Sequence, residues 1–177
     1  MAQTLLTLIA SWTLAGIFMV AAVHKTRNYL EFVGILNQYK LLPNFSIPYV
    51  APLVIAAELA GAAALLTVLT RDMGLAICVG LLGIYILAIG INLARGRAAI
   101  DCGCGGEATP LSVWLVLRNV VLIILASTAW STTEATMSFS IYLLAATTTA
   151  LLWLIYVTGN QLLANWGKRQ TPADQHG

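Results

Sequence analysis

Two cysteines separated by a single glycine form the segment of this chain that is best suited to redox chemistry. They lie in the run Asp101-Cys102-Gly103-Cys104-Gly105-Gly106, between two long apolar stretches. One intervening residue holds the two Cα atoms near the range of about 4.4–6.8 Å that a disulfide accepts. The glycines supply the backbone freedom that so small a ring needs. A strained disulfide is more easily reduced, so this spacing favours an exchanging pair over a permanent cross-link.

A metal site is the rival use of two closely spaced thiols. Structural zinc sites and iron–sulfur clusters usually take four protein ligands. The chain has one further cysteine, Cys78, which about 22 Å of predicted helix separates from the loop. His24, Asp101 and Glu107 could complete only an irregular site that matches no metal motif. The sequence therefore favours the redox pair, leaves open a glycine-rich turn with idle thiols, and disfavours a metal. Cys78 is expected to be a small buried core residue.

Two ionisable residues lie inside long apolar stretches. Glu58 interrupts the second stretch near its middle, and Arg118, followed by Asn119, lies inside the fourth. Ionisable groups at such depth are costly and usually pair in the interior of a helix bundle. Counted from the cysteine side, Glu58 is about 15 Å deep and Arg118 about 10 Å deep. We therefore predict a Glu58–Arg118 ion pair beneath the cysteine loop, which either fixes helix register or forms part of a proton or ligand path to the thiols.

The elements that must position these residues are membrane-spanning helices. Of the 177 residues, 59% are hydrophobic and 9% are charged, whereas soluble domains carry about 25% charged residues. Lipid forbids open strand edges, and no ten-residue alternating pattern predicts a barrel. The sequence thus predicts an all-α polytopic bundle with the lipid bilayer as its main surroundings. Its five predicted spans cover residues 5–23, 48–69, 73–93, 111–129 and 140–158.

The bundle is expected to form one integral membrane domain over residues 1–166, followed by a polar tail without fixed structure at 167–177. The first span is long for a signal peptide and lacks a preceding basic residue, so we expect it to be retained. Residues 28–40 could form an interfacial helix. Small residues at every fourth position of the second span predict close helix packing. These are Ala56, Ala60 and Ala64, with Ala57 and Gly61 beside them, and Ala76 and Gly80 recur in the same way on the third span.

Basic residues predict the orientation of the bundle. The loops on the side of the carboxyl terminus carry Lys25, Arg27, Lys40, Arg95, Arg97, Lys168 and Arg169, and the other side carries Arg71. The excess of Lys and Arg in cytoplasmic loops then places the cysteine loop at the cytoplasmic face. The net charge of +2 is modest, and its basic residues fit membrane topology better than nucleic-acid binding.

The cysteine run belongs to a longer set of motifs. The set comprises Leu93-Ala94-Arg95-Gly96-Arg97, Leu117-Arg118-Asn119, Val23-His24-Lys25, Tyr39-Lys40-Leu41-Leu42-Pro43 and Glu58. Over roughly Ile17 to Leu125, the chain resembles the methylamine utilisation protein MauE family, within a wider group of DoxX-like membrane proteins. The cysteine run is the most specific part of this resemblance.

The resemblance implies a multi-pass protein of the bacterial inner membrane that is needed to mature methylamine dehydrogenase. The small (beta) subunit of that enzyme is periplasmic and rich in disulfides, and its quinone is made from two of its own tryptophans. Family members are thought to process, transport or disulfide-bond this subunit alongside the thioredoxin-like partner MauD. On this interpretation Cys102 and Cys104 are the exchanging pair. The supporting residues are Asp101, Gly103, Glu58, Arg118 and Asn119.

Two classes of function follow from these expectations. In the first, the chain is a maturation factor with thiol–disulfide oxidoreductase activity, for which a periplasmic loop suits the client better than the cytoplasmic loop that the basic residues predict. In the second, it is a non-catalytic scaffold or export helper, and the cysteines form a structural turn. A small-molecule transporter is poorly supported, because only one buried ion pair is evident. No cofactor follows from the motifs, and the docking of a quinone among the helices is left open.

Overall fold

The computed structural model describes residues 2–103, 109–130 and 139–170. Within these ranges the chain forms long apolar α-helices with short connections. In chain order, they are α1 (Ala2–Arg27), α2 (Tyr29–Tyr39), α3 (Ile47–Leu65), α4 (Arg71–Ala94), α5 (Val113–Thr128) and α6 (Phe139–Gln170). Short 3₁₀ turns at Asn44–Ser46 and Val68–Thr70 lead into α3 and α4. The all-α fold predicted from composition is confirmed.

Four of the helices form a closed ring. Neighbouring contacts join α1 to α3, α3 to α4, α4 to α5, and α5 back to α1. The sixth helix, α6, packs on the outer side of α1, and the short helix α2 lies across the ends of α1 and α3. The arrangement is therefore a four-helix core with one additional long helix.

Four helical segments are long and apolar enough to cross a membrane. They are Gln3–Arg27, Asn44–Leu65, Val68–Ala94 and Phe139–Gly159. The fifth apolar helix, Val113–Thr128, has 16 residues, which corresponds to about 24 Å at 1.5 Å per residue. It is shorter than the predicted span because Ser112 is extended, with φ −147° and ψ 160°, and the residues before it belong to the cysteine loop.

Close packing between α3 and α4 depends on two glycines. A Cβ atom added at Gly74 would lie 2.8 Å from a backbone nitrogen of α3, and one added at Gly61 would lie 3.0 Å from Cys78 Sγ. By contrast, Ala56 and Ala60 are exposed on the outside of the bundle. Of the small residues predicted to pack closely, Gly61 and Ala64 therefore contact α4, whereas the prediction is wrong for Ala56 and Ala60, which α3 turns away from its neighbour. Burial of Cys78 confirms its expected place in the core.

The cysteine loop, α2 and the ends of α1 and α4 share one end of the bundle. A cluster of buried apolar residues joins α2 to α4, α5 and the base of the loop. It comprises Ile35, Tyr39, Ile89, Leu111 and Leu115. The helix expected within residues 28–40 is thus confirmed, and it covers the interior beneath the cysteine loop. At the opposite end of the chain, α6 continues to Gln170, into the segment assigned to the polar tail. Residues 171–177 lie outside the described residues.

Candidate functional site

The base of the cysteine loop is a short antiparallel pairing of the backbone around Asp101 and Pro110, called the loop neck below. The backbone nitrogen of Cys102 donates to the carbonyl oxygen of Thr109 at 3.0 Å, and that of Leu111 donates to Ile100 at 3.0 Å. Such paired backbone bonds fix the two ends of a loop relative to each other. Cys102 is therefore held at a defined place at the end of the bundle, where the neck joins α4 to α5.

Asp101 and Gly103 shape the turn on either side of Cys102. The backbone nitrogen of Gly103 donates to Asp101 Oδ1 at 2.9 Å, as in turns built on an aspartate side chain. Gly103 has φ +66°, a conformation that favours glycine. A Cβ atom at this position would also lie 3.3 Å from Ile35 Cγ2 on α2. Both predicted supporting residues therefore act on the backbone that carries Cys102.

A tyrosine from α2 fastens the loop to the bundle. The buried Tyr39 hydroxyl donates to the carbonyl oxygen of Cys102 at 3.2 Å. Burial, and secondly the negative charge of Asp101, raise the pKa of Tyr39 well above its ordinary value. The hydroxyl therefore stays protonated as a donor at neutral pH. Sequence reasoning did not assign this contact, because α2 and the loop are far apart in the chain.

The described cysteines differ in chemical state. Cys102 is disulfide-bonded, whereas Cys78 is free and buried in α4. Cys104, the second member of the predicted pair, lies outside the described residues. Within the described ranges, no group of three or more His, Cys, Asp or Glu residues is placed to hold a metal ion.

A buried polar cluster lies deeper in the ring, around Glu58. Lys25 Nζ donates to Glu58 Oε1 at 2.5 Å, and the Tyr85 hydroxyl donates to the same oxygen at 2.6 Å. The side chain of Glu58 is 0% exposed and that of Lys25 is 4% exposed. The ammonium group also lies 5.5 Å from the centre of the Phe32 ring and 5.6 Å from that of Tyr85. The cation is thus held by a carboxylate and two aromatic faces.

The predicted Glu58–Arg118 ion pair is wrong, because Lys25 occupies the place assigned to Arg118. Helix α1 continues as far as Arg27, so Lys25 stays on the inward face that carries Phe18 and Ala22, at helical spacing. Arg118 remains close enough for its charge to act on Lys25. It borders the same cavity as the pair.

A cavity of about 390 Å³ connects the buried cluster to the cysteine loop. Its walls are mainly apolar and come from α1 to α5, with one residue from α6. Its polar lining comprises Lys25, Tyr39, Glu58, Tyr85, Arg118, Asn119 and Tyr156, and the cysteine loop adds Cys102 and Gly103. Five predicted site residues thus border one space. Asp101 instead lines a neighbouring polar cavity of about 20 Å³ together with His24, Lys25 and Glu31.

The matched family relates this architecture to known sequences. The family model described as "Methylamine utilisation protein MauE" matches residues 3–132. This segment contains the four-helix ring, α2 and the cysteine loop. The chain belongs to the MauE family. The resemblance expected from the cysteine run and its flanking motifs is therefore confirmed, and helix α6 lies beyond the matched segment.

Curated MauE relatives agree with this assignment. The chain is similar to the methylamine utilization protein MauE of Paracoccus denitrificans, with 37% identity over 115 residues, which is 64% of this chain and 62% of that protein. It is also 37% identical over 116 residues to the MauE protein of Methylophilus methylotrophus, covering 64% and 61% of the two chains. The chain thus spans about three fifths of the length of these relatives. No solved structure matches it.

Lys25 and Tyr85 are the site residues that sequence reasoning missed. Lys25 carried a signal, since it follows the apolar residues Phe18 and Ala22 at helical spacing on one face of α1. Its position at the end of a span suggested a topology signal instead. Tyr85 carried none, because a single tyrosine in an apolar helix is common. Its place beside Glu58 depends on how α3 and α4 pack.

Proposed function

We propose that this MauE-family chain is a membrane factor that matures the small subunit of methylamine dehydrogenase in methylamine utilisation. It acts by thiol–disulfide exchange at Cys102 and Cys104, in the bacterial inner membrane, alongside a thioredoxin-like partner of the MauD type. Its relatives are named as methylamine utilization proteins, which supports the metabolic context. The observation that carries the chemistry is that Cys102 is disulfide-bonded. With Cys78 free, Cys104 is the remaining cysteine of the chain.

The proposed reaction conserves atoms and electrons. A thiolate of the client attacks one sulfur of the Cys102–Cys104 disulfide and forms a mixed disulfide. The second client thiol then attacks the client sulfur of that bond, which releases the client disulfide. Both cysteines of the loop are left as thiols, having accepted two electrons. The position of Cys102 at an end of the bundle, and not within its core, supports access by a protein client.

A non-catalytic scaffold or export helper is the second candidate. The tight attachment of the loop favours it, since the backbone of Cys102 is bonded to both Thr109 and Tyr39. In that case the disulfide merely closes a structural turn. The two candidates make opposite predictions for maturation of the small subunit when the sulfur of either Cys102 or Cys104 is removed.

The deciding experiment replaces each loop cysteine in the full-length chain, expressed in cells that make methylamine dehydrogenase. Under the exchange mechanism, Cys102→Ser and Cys104→Ser both abolish the mature, disulfide-bonded small subunit. Cys78→Ala is the matched control, because this thiol is free, buried and distant from the loop. Normal maturation by either serine variant at normal membrane levels would establish the scaffold function instead.

Impermeant thiol labelling of the same cells, before and after mild reduction, tests the redox state and the sidedness of the loop. The exchange mechanism predicts that Cys102 and Cys104 are labelled only after reduction. Labelling in intact cells would indicate a periplasmic loop, as the client requires. Labelling only after lysis would support the cytoplasmic loop that the basic residues predict.

A further inference from the structure

The cavity beneath the cysteine loop has buried polar atoms that lack partners. Glu58 Oε2 and Asn119 Nδ2 have no hydrogen-bond partner among the described residues. The two residues are 0% and 1% exposed, and both line the cavity. Buried polar atoms are nearly always satisfied in folded proteins. One acceptor and one donor without partners, beside a space whose walls are mainly apolar, therefore indicate a ligand with a small polar end and a large apolar body.

The cavity opens towards lipid. Three lining residues on one face of α4, Ile84, Leu87 and Ile91, are 59%, 65% and 41% exposed. Val50 and Val54 of α3 also line the cavity. The space therefore reaches the outer surface of the bundle between α3 and α4. Because apolar side chains on the outside of a membrane helix face hydrocarbon, a ligand from the bilayer can enter there.

Cys102 lies at the other boundary of this cavity. A ligand with access from lipid would thus border Cys102, whose sulfur takes part in a disulfide. The cavity volume of about 390 Å³ is within the range of about 300–1,000 Å³ that is typical of small-molecule sites. Lipid access, a polar end and a redox sulfur are the features that a membrane-soluble electron carrier requires.

We propose that this cavity binds a membrane quinone, which reoxidises the Cys102–Cys104 dithiol. The inference rests on the proposed function, because the dithiol forms when a client is oxidised. In the reaction, the two sulfurs form one S–S bond, and two electrons and two protons pass to the quinone to give a hydroquinone. Asn119 Nδ2 supplies a donor for a quinone carbonyl oxygen, and the Glu58 carboxylate supplies an acceptor for a hydroquinone hydroxyl.

Lys25 connects this site to the end of the bundle. It contacts Glu58 in the large cavity and also lines the small polar cavity with His24, Glu31 and Asp101. Protons can therefore exchange between the buried cluster and the polar surface without crossing the apolar part of the cavity. A lipid acyl chain is the alternative occupant. It is disfavoured because it offers no polar group to Asn119 or Glu58.

The test uses the full-length protein in nanodiscs of saturated phosphatidylcholine, reduced with dithiothreitol and then freed of reductant. Decylubiquinone is added, and quinone loss by ultraviolet absorbance is compared with loss of free thiols. We expect one hydroquinone for each disulfide formed, with rates that saturate in quinone. Quinone loss at the same rate in the Cys102→Ser/Cys104→Ser double variant would overturn the inference.

Two variants probe the cavity itself. Ala88→Phe fills it from α4 and should abolish saturable quinone reduction, whereas Ala76→Phe, at an exposed position of the same helix, should behave as wild type. Asn119→Leu has nearly the same size but no donor, and should raise the half-saturating quinone concentration roughly three- to tenfold. Each variant is first checked for a monodisperse, folded state. Wild-type quinone kinetics in folded Ala88→Phe and Asn119→Leu would show that the quinone reacts elsewhere, as expected if a lipid chain fills the cavity.

A separate measurement distinguishes the failure of this inference from that of the proposed function. The oxidised protein is mixed with the reduced small subunit in the absence of quinone, and the formation of one client disulfide is followed. Exchange with the client but no thiol-dependent quinone reduction would refute the quinone site and leave the proposed function intact. No exchange with the client, together with saturable quinone reduction that Ala88→Phe abolishes, would refute the proposed function instead.

Discussion

The buried pair between Lys25 and Glu58 gives the most direct test of the structure. At 2.5 Å, two unit charges attract by about 7 kcal/mol for an effective dielectric constant of about 20. Burial of the ions opposes this attraction by several kcal/mol each, so the pair as a whole contributes little net stability. Removal of one partner is different, because it leaves the other charge buried without compensation. We therefore expect Lys25→Met to lower the free energy of unfolding by about 3–5 kcal/mol.

Denaturant titration of the protein in detergent micelles measures this effect. Arg27→Met is the matched control, since Arg27 is exposed at the end of the same helix, and it should change stability by less than about 0.5 kcal/mol. In the Lys25→Met/Glu58→Gln double variant no unpaired charge remains, so about 2–3 kcal/mol of the loss should be recovered. Equal losses of unfolding free energy in Lys25→Met and Arg27→Met would refute the buried pair. A double variant whose loss equals the summed losses of Lys25→Met and Glu58→Gln would refute it as well.

Three further changes test the packing and the loop. Gly74→Ala should destabilise the bundle by about 1–3 kcal/mol in the same denaturant titration, because its Cβ would lie 2.8 Å from a backbone nitrogen of α3. The control is Gly83→Ala, which lies in open space on the same helix and should be neutral or stabilising. Gly103→Ala should lower the thermal midpoint more than Gly96→Ala does, since both glycines have positive φ but only Gly103 also contacts α2. Tyr39→Phe should cost about 0.5–1.5 kcal/mol at neutral pH. Because folding raises the pKa of Tyr39, its stabilisation is present below the ordinary tyrosine pKa of about 10 and is lost as pH rises above it. An unfolding titration in which the wild-type advantage over Tyr39→Phe stays constant above that pH would contradict the hydrogen bond.

The helices could be predicted from sequence because lipid imposes a simple rule on composition. Long apolar runs must become helices, and each predicted span corresponds to a helix in the structure. The ends were less predictable. Helix α5 begins at Val113 because the preceding residues pair with the other strand of the loop neck. Such pairing depends on residues on both sides of the loop, which a local pattern does not contain.

The candidate site was only partly predictable, for a geometric reason. Depth along each helix correctly gathered Glu58, Arg118 and Asn119 beneath Cys102, since depth follows from residue number. The choice of partner within that layer depends on the rotation of each helix about its axis. Rotation is set by packing, here by glycine contacts between α3 and α4 and by Phe18 on α1. Glu58 therefore met Lys25, and the apolar cavity between the helices had no signature in the sequence.

The direction of α6 makes the carboxyl-terminal end of this helix a suitable point for a topology reporter. Trp12 of α1 stacks on Tyr142 of α6, and Trp153 lies farther along both helices, against Gly16. The two helices thus run in the same direction, and α6 returns the chain to the end of the bundle where α1 meets α2. A reporter fused beyond Gln170 would stand on the same side of the bilayer as Cys102. An alkaline phosphatase fusion and a fluorescent protein fusion at that point would therefore read the compartment of the cysteines without any change near them.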